Sequence, residues 1–166
     1  IGKNVEKYPE ITNQIYKDGH IIVNHGYDDK LILFKSNKVI QDDIKKCNNA
    51  IAKAINQNTF VVKYFRPAFG IYRPSTRFIW DKLNMIIMPV TLFDFDHLAA
   101  EYKMEKKINS IIKAARKYNG GIFVLHDGKH RADKLIKNVK KNTYSNYNRS
   151  WIPRAVSSII TTLKKE

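Results

Sequence analysis

Between residues 40 and 55 apolar positions recur every three or four residues: Ile40, Ile44, Cys47, Ile51, Ala54 and Ile55. That period puts them on one stripe of a helix, and Ser36 suits its N-cap. Pro9 opens a shorter helix, because the N–H it lacks would be unpaired in a first turn anyway. Ile11, Ile15 and Tyr16 give that helix an apolar face, and Gly19 ends it. Strands are predicted over 20–24, over "FVVKYF" (60–65), over "MIIMPV" (85–90) and over "IFVL" (122–125), all rich in β-branched or aromatic residues. Residues 25–35 read as a loop with one apolar run, "LILF". "NQNT" breaks the long helix, and Arg66-Pro67 stops the second strand. Further helices are predicted over about 74–83, 98–118 and 152–165. Ile108, Ile111, Ile112 and Ala115 line the second of these, and "NGG" (119–121) caps it.

Strand and helix alternate, and no Asn-Gly hairpin joins neighbouring strands. This argues for parallel strands linked by crossover helices, an α/β fold. In such folds sites gather at the C-terminal ends of strands. His25, Arg66, Asp94 and His126 each follow a predicted strand and are expected on one rim.

Composition narrows the class. The 166 residues are 43% apolar, enough for the core of one domain. No apolar run approaches the roughly 20 residues that span a bilayer. The start, "IGKNVEKYPE", has no hydrophobic signal core. The single cysteine, Cys47, excludes an internal disulfide and a multi-cysteine zinc site. The formal net charge of +15 favours anionic partners such as nucleic acid or acidic polymers. Its lysines are scattered along helices among many asparagines and isoleucines, which also fits a merely solvated surface and makes nucleic acid the weaker choice.

The stretch "GHIIVNHGYDD" (19–29) ends a strand on His25, with Asp29 four residues later. Zinc accepts a histidine nitrogen and a carboxylate oxygen at about 2.0–2.2 Å, so the pair could hold a metal. A hydrogen-bonded core histidine and a solvated loop acid are the plainer alternatives. His20, His97 and His130 match no such pattern and suit surface or packing roles. Trp80 and Trp151 suit packing roles.

Four motifs in order then resemble the polysaccharide deacetylases of the NodB-homology type, carbohydrate esterase family 4. "IGKNVEKYPEITNQIYKDGHIIVNH" (1–25) is similar to the segment leading into that family's second motif. "YFRPAFG" (64–70) is similar to the third, "TLFDF" (91–95) to the fourth and "VLHDG" (124–128) to the fifth. "NRSWIPRAVSSIITTLKK" (148–165) resembles the domain's last helix. The resemblance implies a distorted (β/α) barrel of parallel strands over residues 1–166. It is expected to be truncated at both ends and open, with 129–146 a lysine-rich insertion. It implies hydrolysis of N-acetyl groups from a chitin- or peptidoglycan-like glycan, helped by a divalent metal, zinc. His25 and Asp29 would be metal ligands. His126 would be the general acid, Asp94 would orient it, and Arg66 would pin a catalytic carboxylate. Phe69, through its backbone N–H, Phe95 and Trp151 would meet substrate. An extracellular or cell-envelope setting would follow.

This sequence departs from the family's pattern in places. The first motif, Thr-Phe-Asp-Asp, with the catalytic base and one ligand, does not occur in it. Asp29 stands where the family has a second histidine, Thr91 where it has an aspartate and Phe95 where it has a tryptophan. For these residues alone the expectation is zinc held weakly or not at all. A non-catalytic remnant that binds carbohydrate and a basic polyanion-binding module are the competing readings. Open sheet edges predict self-association.

Overall fold

The computed structural model describes residues 1–92, 101–127 and 149–165. They fall into two compact units, Ile1–Met88 and Pro89–Glu166.

The first unit is built on a three-stranded parallel sheet, β1 (Val23–Asn24), β2 (Tyr64–Phe65) and β3 (Ile86–Ile87), in that spatial order. Val23 lies opposite Tyr64, and Tyr64 opposite Ile86. Before β1 come α1 (Gly2–Lys7) and α2 (Pro9–Lys17). The crossover from β1 to β2 is α3 (Asn37–Ala54), and that from β2 to β3 is α4 (Arg77–Lys82). The parallel α/β arrangement predicted from strand–helix alternation is therefore present.

The long helix forms as its periodicity predicts. Ser36 accepts a hydrogen bond from the Val39 N–H at 3.4 Å, a long cap bond. Ile40, Ile44, Cys47 and Ile51 are all at most 2% exposed and pack with Val62, Phe65, Ile79, Trp80 and Met85 in one core. Each such aliphatic side chain removed from water contributes about 1.5–3 kcal/mol. Trp80 of α4 stacks on Phe65 of β2, ring centroids 5.0 Å apart. Pressed against α3 lies α1, at Gly2, where a Cβ would fall 2.5 Å from the Tyr27 ring. The sequence reading did not foresee α1, because "GKNVEK" carries neither a capping side chain nor an apolar period.

Two expectations were too generous. Each strand forms ladder pairs over two residues only, not five or six. Ile21 and Val61, both 71% exposed, belong to apolar runs that precede the paired residues without joining the ladder. Likewise α2 buries none of its residues: Ile11 is 54% exposed, and only Tyr16 finds a ring partner, Phe60, edge-on at 5.3 Å.

In the second unit α5 (Met104–Lys117) and α6 (Ile152–Leu163) pack together. Ile111, Ile112 and Ile159 form one cluster, and Trp151, Ile152 and Ala155 a second. Glu101 and Arg154 are ion-paired. Asn119, Gly120 and Gly121 all take positive φ at the end of α5, as the "NGG" signal predicts. Gly121 is required there, since a Cβ would lie 2.7 Å from the Thr91 hydroxyl. The predicted strand over 122–125 is reduced to one parallel bridge, Phe123 with Leu92. Asp94, Phe95 and the lysine-rich 129–146 lie outside the described residues. No helix among the described residues is long and apolar enough to cross a membrane.

Candidate metal and active site

β1 ends at Asn24, and the next residue, His25, leaves the sheet beside the end of β2. The Arg66 N–H donates to the Asn24 carbonyl at 2.9 Å, which continues the parallel pairing one residue past β2. This register brings the Arg66 carbonyl to the His25 ring, 2.7 Å from Nδ1. A carbonyl only accepts, so Nδ1 carries the proton and donates. Nε2 is left with its lone pair, the state a histidine needs to bind a metal.

Nε2 faces Asp29, whose Oδ1 is 3.9 Å away. That is too long for a hydrogen bond. Two donors sharing one zinc, each about 2.1 Å from it, can be no more than about 4.2 Å apart. Tetrahedral zinc holds its donors about 3.4 Å apart, so the pair lies near the spacing of two coordination positions and would close slightly to share one ion. The shorter aspartate reaches because its backbone is left-handed, with φ 52°. Aspartate tolerates that region better than most residues. Both side chains are partly buried, 31% and 21% exposed. Burial pulls the His25 pKa below the ordinary 6.5, against the opposing pull of the Arg66 carbonyl and Asp29. The neutral ring is therefore favoured. Among the described residues no group of three or more His, Cys, Asp or Glu could hold a metal, so the fit is partial.

Arg66 lies on the same stretch. Its guanidinium passes close to Gly70, and burial lowers its pKa. Among the described residues no carboxylate pairs with it. The turn that follows is strained: Phe69 sits at φ 62°, ψ 1°, followed by Gly70 at φ 71°. A bulky residue at positive φ is a genuine outlier, and such strain clusters at functional sites. Phe69 is 67% exposed.

In the second unit, His126 is half-buried just beyond the Phe123 bridge. Trp151 is 0% exposed and packs with Met104, Ile108 and Leu125, the packing role that the sequence left open. Asp94 and Phe95 lie outside the described residues.

Sequence reasoning missed Asn24. It is 0% exposed, and its amide donates to the Ile44 carbonyl at 2.9 Å and to Asn48 Oδ1 at 2.6 Å. Its own oxygen accepts the Gly26 N–H at 2.7 Å. The available signal was an asparagine inside an apolar strand, where that residue is disfavoured.

A parallel α/β sheet with a histidine–carboxylate pair just beyond a strand end is the arrangement of α/β proteins, in which sites gather at strand termini. The family follows from comparison. The polysaccharide deacetylase family model matches residues 1–87, more than half of the chain, and the chain belongs to that family. A chitooligosaccharide deacetylase from Azorhizobium caulinodans is 26% identical over 128 residues, covering 77% of this chain. The chain spans only 58% of that relative's length. Among solved structures, a peptidoglycan N-acetylglucosamine deacetylase superposes with a TM-score of 0.75 at 18% identity, over 99% of this chain and 66% of the other. A family 4 acetyl xylan esterase from Clostridium thermocellum, solved with a cobalt ion, gives 0.72 at 21% identity, over 99% and 68%. At such identities these two likenesses support the fold.

Proposed function

We propose that this chain belongs to a metal-dependent hydrolase that removes N-acetyl groups from a chitin- or peptidoglycan-like glycan. The observation that carries the reading is the His25 ring, proton on Nδ1 and lone pair on Nε2 turned towards Asp29, in a chain of the polysaccharide deacetylase family. His25 and Asp29 would hold a divalent ion, zinc. When bound, it would polarise the amide carbonyl and make a water more acidic. A second carboxylate in place of a histidine neutralises more of the ion's charge, which weakens that effect.

The chain's own residues supply the rest of the reading. The Phe69 N–H would donate to the oxyanion as the water oxygen bonds to the acetyl carbon. Arg66 would hold the carboxylate that takes the water's proton. His126, oriented by Asp94, would give a proton to the amine nitrogen as the C–N bond breaks. Acetate and a free amino sugar result. The parallel sheet is read as part of a distorted barrel that is open in this chain, whose edge at β1 could pair with a second copy.

The test is acetate release from chitooligosaccharides and from peptidoglycan fragments, with and without added zinc. Zinc-dependent release abolished by His25→Ala is the expected result. The finding that only two donors meet among the described residues favours one second reading, a non-catalytic domain that binds the glycan. Binding of the oligosaccharide without acetate release, with or without zinc, would decide for it. Steeply salt-dependent binding to DNA or RNA, with no glycan binding, would instead decide for a polyanion module.

A further inference from the structure

Helix α3 holds the chain on both sides of His25, through a buried hydrogen bond from Asn24 before it and a partly buried one from Tyr27 after it. Asn24, immediately before His25, is fully buried. The Ile44 carbonyl can only accept and the Gly26 N–H can only donate, so the orientation of the Asn24 amide is fixed by its partners. Nδ2 turns towards α3, and Oδ1 turns towards the residue just after His25. Asp43, also on α3, accepts the next N–H, that of Tyr27, at 2.8 Å. Gly26 sits between these anchors at φ 79°, where a Cβ would lie 2.9 Å from the Asp43 carboxylate. The Asn24 carbonyl meanwhile receives the Arg66 N–H, and so sets the height of the Arg66 carbonyl beside the His25 ring.

We propose that Asn24 and Asp43 are positioning residues: together they clamp the backbone around His25 to α3 and thereby hold its Nδ1–H on the Arg66 carbonyl and its Nε2 towards Asp29. This rests on the metal-site reading for its purpose, but the clamp is a property of the chain without metal. A merely structural role for these side chains would cost stability and leave the ring's tautomer alone. A positioning role changes the tautomer, and with it the metal affinity. Groups that orient a metal-binding histidine are typically worth about 10–100-fold in affinity.

The test uses the full 166-residue chain. Long-range nitrogen–proton NMR reads the tautomer of the His25 ring in the metal-free protein, well above the ordinary histidine pKa. A His25→Gln variant assigns its resonances. Wild type should show the proton on Nδ1. Asn24→Ala and Asp43→Ala should shift the population towards Nε2–H and weaken zinc binding, by calorimetry, about 10–100-fold. Asp43→Asn keeps an oxygen for the Tyr27 N–H and should retain the wild-type tautomer. If Asn24→Ala does not fold, the comparison of Asp43→Ala with Asp43→Asn carries the test, since Asp43 lies at the partly exposed edge of α3. A folded Asp43→Ala variant with wild-type tautomer and zinc affinity would overturn the clamp. A wild-type chain that binds no zinc would overturn the metal reading, and the tautomer comparison would still decide the clamp.

Discussion

His25 is a histidine whose burial favours the neutral ring, against the Arg66 carbonyl that accepts its Nδ1–H and the Asp29 carboxylate. Its folded pKa is lowered, so between that value and the ordinary 6.5 the unfolded chain binds the extra proton and the folded chain does not. The stability it contributes is complete above 6.5, falls as pH drops through that window, and levels off below the folded value. Replacing His25 with Gln should flatten this limb in thermal melts taken across the window. Asp28 behaves in the opposite range. Lys3 and Lys30 hold its pKa down to about 2, so its contribution is lost only as pH falls from 3.8 towards that value. At this scale the chemistry was legible in part. His25 and Arg66 stand at strand ends that an apolar run announces, whereas Phe69, in the turn beyond β2, was reached only through the family resemblance. The bond from His25 to the Arg66 carbonyl was not legible, because it depends on the register between residues 41 apart in the chain. Asn24 escaped for a related reason: its three partners come from β1's own loop and from α3, and no local pattern names them.

Among the elements, α3 does most to fix the first unit, since it supplies the core stripe and both anchors of the His25 loop. Ile44, 1% exposed at the centre of that stripe, should cost about 2–5 kcal/mol as Ala, read by denaturant unfolding. Ser36→Ala should cost much less, about 0.5–1 kcal/mol, because its cap bond is long and exposed. A reversed order would mean that α3 is held by its end, not by its face. The helix was predictable because one strong period ran for four turns with a cap in place. Three of the four predicted strands form in the expected parallel direction, but not at the expected length, and the fourth is a single bridge among the described residues. An apolar run shows that a segment is extended; only the neighbouring strand shows where pairing begins. For α2 the period was present, yet its face found little to cover it, and Ile11 and Ile15 remain exposed.

For the whole molecule, the net charge of +15 sets the response to salt. Self-repulsion destabilises a compact chain with so large an excess, and salt screens it. The melting temperature should therefore rise with moderate NaCl, although the pairing of Asp28 with Lys3 and Lys30 weakens. A fall would show that the local pairs outweigh the global excess. The α/β character was legible at this scale because alternation of element types survives errors in their ends. The division at Met88 and Pro89 was not, since no linker-like composition marks it. The sheet itself sets the tempo of folding. Its rungs join Val23 to Tyr64 and Tyr64 to Ile86, and no rung joins neighbours along the chain. A large loop must close before any of them forms, and closure entropy precedes the reward. Local helix formation in α3 shortens that search by bringing the two ends of the first crossover nearer. The first unit should accordingly gain its helical signal well before the amides of its sheet become protected from exchange.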